Sequence, residues 1–104
     1  MLGAIIGDMV GSVYEFHPIK TKKFNMFDNR MRMTDDSLLT IEVAKVLMNN
    51  YPINYSVEGL DKIKKELVIA FHFTVIKNPG AGWGGRFFDW VREGNFEPYN
   101  SCGN

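Results

Sequence analysis

The chain holds a single cysteine, Cys102, among its 104 residues, so no internal disulfide can form and a cross-linked secreted scaffold is excluded. It has no excess of charge of either sign. Lys plus Arg and Asp plus Glu number 12 each, leaving no net field to draw the protein toward nucleic acid or an anionic membrane. No run approaches the ~18 apolar residues of a membrane span. The apolar opening Met-Leu-Gly-Ala-Ile-Ile-Gly lacks a basic start and a cleavage pattern, and Asp8 interrupts it. The expectation is a cytoplasmic protein that has no membrane partner and binds whatever it binds locally. Strand signals are almost absent as well: only Phe71-His72-Phe73-Thr74-Val75-Ile76 has the composition of a strand, and no second such run could pair with it.

What is present suits a folded helical protein. Apolar residues make up 45% of the chain and charged residues 23%, ordinary values for a globular domain, and the length allows one core rather than two. Residues 2–15 place Gly3, Gly7 and Gly11 four apart, one stripe of a helix. Glycine costs about 1 kcal/mol in a helix interior, so three of them predict close packing against another backbone. Residues 16–33 have no sustained period and read as a long loop anchored by Phe24, Met26 and Phe27. Thr34 is a suitable N-cap for a helix rich in apolar residues on most sides, which Asn49-Asn50-Tyr51-Pro52 ends. From about 58 to 76, Leu60, Ile63, Leu67, Ala70, Phe71 and Thr74 recur at helical spacing. A glycine-rich turn, Asn78 to Gly85, then leads into a short amphipathic helix at about 84–93 with Gly94 beyond its end. The fold class predicted is all-α, a helical bundle forming one domain over residues 1–104.

Two clusters could carry chemistry. Thr34, Asp35 and Asp36 offer three hard oxygen donors at a helix start, suited to Mg²⁺ or Mn²⁺ and not to zinc; an acidic first turn behind a Thr cap is the competing reading. Asp8 and Glu15 stand seven apart, two turns along one face of the predicted first helix. Two carboxylates on an otherwise apolar helix need a reason. Asp8 either hydrogen-bonds backbone amides or takes part in chemistry, and Glu15 opens onto the long loop.

Gly-Ala-Ile-Ile-Gly-Asp-Met-Val-Gly-Ser-Val-Tyr-Glu (3–15), Thr-Asp-Asp-Ser (34–37), Gly-Ala-Gly-Trp-Gly-Gly-Arg-Phe (80–87) and Pro-Tyr-Asn-Ser-Cys-Gly-Asn (98–104) occur here in an order and spacing that resemble the ADP-ribosylglycohydrolases. The resemblance implies an all-α orthogonal bundle that binds magnesium and hydrolyses the glycosidic bond between ADP-ribose and an acceptor. It implies Thr34, Asp35 and Asp36 as metal ligands, with Asp35 and Asp36 thereby catalytic, and Glu15 as the catalytic acidic residue near the substrate. It also implies Gly80 and Gly82 on the adenosine side and Ser101 with Gly103 around the diphosphate.

The family's remaining ligands come from a downstream Asp-x-Asp-Thr segment, and no such segment occurs up to Asn104. The resemblance therefore covers only the family's N-terminal portion, a truncated form expected to hold Mg²⁺ weakly and to show impaired hydrolysis alone. A complementing C-terminal chain or homo-oligomerisation would supply the missing surroundings. Two further readings stand beside this one: a non-catalytic module that binds ADP-ribose or a nucleotide, and a structural protein that self-associates through uncovered apolar faces.

Overall fold

The computed structural model describes residues 1–98, and every regular element among them is helical: α1 (Leu2–Gly11), α2 (Asp35–Asn49), α3 (Val57–Lys77) and α4 (Gly85–Arg92). The strand-like run from Phe71 to Ile76 lies inside α3. Helix α2 sits between α1 and α3, and α4 packs on α3.

The helix ends follow from local chemistry. Asn50 closes α2 by returning its side-chain amide to the Val46 carbonyl at 2.9 Å, and the same amide reaches Glu66 Oε2 on α3 at 2.6 Å. One residue thus stops a helix and ties it to its neighbour. Tyr51-Pro52 follows with a cis peptide. Ser56 opens α3, its Oγ accepting from the Gly59 amide at 3.0 Å. Glycine is required at 59, because a Cβ there would meet the Asn54 carbonyl oxygen and, at 2.8 Å, the Asn54 Cβ and Cγ. Asn78 ends α3 as Asn50 ends α2, donating to Thr74 O at 2.9 Å. Beyond α4, Gly94 takes a left-handed φ of 65°.

The core is small, with Val46, Ile63 and Ala81 buried apart from its main cluster. Val75 of α3 and Trp90 and Val91 of α4 form its buried centre, with Val68, Trp83, Phe87 and Phe88 against it. Trp90 stacks on Phe87 at 5.6 Å and meets His72 edge-on at 4.4 Å; Phe96 stacks on the same imidazole at 4.4 Å. The chain is elongated: its radius of gyration is 16.0 Å, against about 13 Å for a compact chain of this length.

Helix α1 departs from expectation twice. It ends at Gly11 rather than at residue 15, since Ser12 returns its hydroxyl to Met9 O at 2.7 Å and a turn follows from Gly11 O to Tyr14 N at 2.8 Å. Its glycines are also not packed. No heavy atom beyond the helix's own backbone and immediate neighbours comes within 4 Å of a Cβ built at Gly3, Gly7 or Gly11. Ile5, Asp8, Met9, Val10 and Ser12 are half-buried, and the glycine stripe borders open space: Gly3, Gly7 and Gly11 line a groove with Ile19, Phe24 and Met26, and Gly7 and Gly11 also line the cleft beside Asp8 and Thr34. No residue of α1 is fully buried.

Candidate functional site

Asp8 is the centre of the contact between α1 and the start of α2. Its Oδ2 accepts from the Thr34 amide at 2.9 Å, and its Oδ1 accepts a short hydrogen bond from the Thr34 hydroxyl. Thr34 is buried, at 4% exposure, and occupies the N-cap position with extended backbone, yet its hydroxyl caps no amide of α2. Its hydroxyl proton goes to Asp8 on α1. Burial by itself raises the Asp8 pKa, but the polar groups of the neighbouring Ser37 and the hydrogen bonds from Thr34 outweigh it and the net shift is downward. Of the two readings left open for Asp8, amide hydrogen bonding is what the structure displays.

Around this pair is an open cleft of about 600 Å³ whose walls carry Asp8, Glu15, Asp36, Thr34 and Thr40 over a floor of Ala4, Gly7 and Gly11. Three carboxylates and two hydroxyls line it, and no Lys or Arg does. Although α1 stops short of it, Glu15 still reaches the same cleft as Asp8, carried there by the turn after Gly11 rather than by helical period.

Asp35 does not line this cleft. Adjacent residues of a helix point about 100° apart. The Asp35 amide donates to Ala81 O at 3.1 Å, and a Cβ at Gly82, where φ is 97°, would stand 3.6 Å from Asp35 Oδ1. The glycine-rich turn is therefore fastened to the start of α2 at Asp35. Burial raises the Asp35 pKa first and the charge of Asp36 adds to it; the Asp35 and Asp36 amides and Thr34 oppose the shift without reversing it. Gly80 lines a separate small pocket with Met33, Leu38, Asn78 and Ala81. Ser101, Gly103 and Cys102 lie outside the described residues.

The structure thus brings Glu15, Thr34 and Asp36 to one cleft and sets Asp35 with Gly82 apart from it. Thr40 joins the cleft because it stands one turn after Asp36 on α2, a spacing that the sequence displays. Hard oxygen donors of this kind fit Mg²⁺ chemically. Among the described residues, no three His, Cys, Asp or Glu side chains come together to hold one ion. Mg²⁺ commonly keeps several waters and is held through one or two carboxylates. No helix among the described residues is long and apolar enough to cross a membrane. Comparison with protein-family models, with curated proteins and with solved structures found no match.

Proposed function

We propose that this chain is an ADP-ribosylglycohydrolase-like protein, similar to the N-terminal part of that family's bundle, that takes ADP-ribose or an ADP-ribosylated acceptor with magnesium. The observation that carries the reading is the cleft in which Glu15, Asp36 and Thr34 meet with no basic residue to neutralise them. Thr34 and Asp36 would hold the ion. Bound there, Mg²⁺ supplies polarisation of ribose hydroxyls and a more acidic water. Glu15, exposed on the turn after α1, stabilises positive charge at the anomeric carbon or orients the attacking water. The Gly80 to Gly85 turn, seated on Asp35, takes the adenosine side. Two protein ligands leave the ion largely hydrated, so turnover by this chain alone is slow.

Calorimetric titration with ADP-ribose, with and without Mg²⁺, tests the reading. The expected result is magnesium-dependent binding that weakens at least about tenfold in the Asp35→Ala, Asp36→Ala double variant. Equal heats with and without Mg²⁺, or no binding in either case, would refute it. Binding with no measurable release of ADP-ribose from a modified protein would point to the non-catalytic module.

A second reading is favoured by exposed apolar side chains. Leu2 and Ile6 on α1 are 71% and 51% exposed, and Ile69, Phe73 and Ile76 form an i, i+4, i+7 row on α3 at 60%, 58% and 69%. Surfaces of this kind mark interfaces. We infer self-association, visible in sedimentation velocity as a boundary that speeds up with concentration. A single monomeric boundary at every concentration sinks it.

A further inference from the structure

We propose, on the reading that this chain self-associates, that the contact joins two different surfaces: the exposed row Ile69, Phe73 and Ile76 of α3 seats in the groove beside α1 of a second copy, and Lys77 meets that copy's Glu15. The groove holds about 610 Å³, with Ile6, Val10, Ile19, Phe24 and Met26 lining it beside the glycines of α1. A Cβ at Gly3, Gly7 or Gly11 has open space before it, so this wall admits the close approach of another helix. Amphipathic helices enter apolar grooves through anchors spaced i, i+4, i+7, the spacing of the exposed α3 row. The lengths agree, since Gly3 to Gly11 covers about 12 Å of helix axis and Ile69 to Ile76 about 10 Å.

Charge selects this pairing and sets its direction. Among the residues lining the groove Glu15 alone is charged, and among the described residues it has no ion pair. On α3, Lys62 and Lys65 are paired with Glu66 and Asp61, whereas Lys77 has no carboxylate partner among the described residues and lies 4.3 Å from the centre of the Phe73 ring. Glu15 follows the last groove glycine and Lys77 the last apolar anchor, so the two charges meet when the helices run in the same direction. Helices α1 and α3 of one chain make no contact with each other, and the row that fills the groove therefore comes from another molecule. A pair formed in this way leaves one groove and one row free, so association continues past the dimer or closes into a ring.

The test is sedimentation velocity on the full chain, on Gly7→Leu, on Phe73→Glu and on an equimolar mixture of the two variants. Gly7→Leu fills the groove where a Cβ has room, and Phe73→Glu breaks the row at a residue 58% exposed, so neither change enters the core. Each variant alone should associate at least about tenfold more weakly than the parent. The mixture should form a one-to-one dimer and nothing larger, because the intact row of the Gly7→Leu chain enters the intact groove of the Phe73→Glu chain. A mixture no more associated than its components, or either variant associating like the parent, overturns the proposal and leaves self-association standing. A parent that is monomeric at every concentration overturns both. Should Gly7→Leu fail to fold, Glu15→Lys and Lys77→Glu decide: each should weaken association and their mixture should recover it. Single variants that associate like the parent, or a mixture that does not recover, overturn the proposal.

Discussion

Replacement of Trp90 by alanine should bring the protein to the edge of unfolding at 25 °C. The side chain is 7% exposed, stacks on Phe87, meets His72 edge-on and donates from Nε1 to Glu97 O at 2.8 Å. Truncation of a buried tryptophan costs about 3–5 kcal/mol. At roughly 0.05 kcal/mol per residue, the low end that suits a chain with so small a buried centre, total stability is about 5 kcal/mol. Little remains after the loss. Urea denaturation followed by far-ultraviolet circular dichroism should place the midpoint near zero denaturant. Trp90→Phe, which keeps a ring against Phe87 but loses the bond to Glu97, should cost far less, about 1 kcal/mol for the hydrogen bond plus the smaller ring's lost packing. A midpoint for Trp90→Ala within experimental error of the parent would mean that α3 and α4 do not share the core described.

The second large effect belongs to α1. No side chain of this helix is fully buried, and at ten residues with three glycines it is too short and too poor in helix formers to persist in water alone. Its attachment runs through the Asp8 clamp on Thr34, helped by Ser12 Oγ, which accepts from the Arg32 amide at 3.2 Å. Hydrogen bonds to a charged group contribute about 1.5–3 kcal/mol each. Asp8→Ala should therefore raise amide hydrogen exchange across α1 at least about tenfold at neutral pH, while the protection of α3 stays unchanged. Acid should do the same to the parent. The folded-state pKa of Asp8 is below the unfolded value of 3.8, so the stabilisation is fully present above that value and is lost as pH falls through the lower, folded one. Intrinsic-rate-corrected exchange in α1 that stays flat from pH 7 to about pH 2 would contradict this.

Much of the fold was legible because its signals are local. The stop at Asn50 and Pro52, the start of α3 near Glu58, the glycine turn before α4 and the glycine after it are each set by residues within one turn of the boundary. The first helix was misjudged for the opposite reason. Its glycines matched a helical stripe through Gly11, but whether another backbone covers that stripe depends on elements distant in sequence, and here none does. The candidate site shows the same division. Thr34, Asp36 and Glu15 stood out as residue types, and helical period alone separates Asp35 from Asp36. That Asp8 would meet Thr34 was beyond local pattern, because the two are 26 positions apart and joined only by tertiary packing. His72 is likewise placed by residues distant in sequence, since Trp90 and Phe96 pack against its ring.

Both tryptophans lie in and beside α4: Trp83 donates to Asn78 O at 2.7 Å, and Trp90 sits seven residues on in the core. Intrinsic emission from this protein is therefore a report from α4 and its surroundings. Detachment of α1, at the other side of α2, would leave that signal nearly unchanged. A thermal scan by fluorescence and one by circular dichroism should then diverge, and the gap between the two curves is a direct optical measure of how independently α1 comes loose.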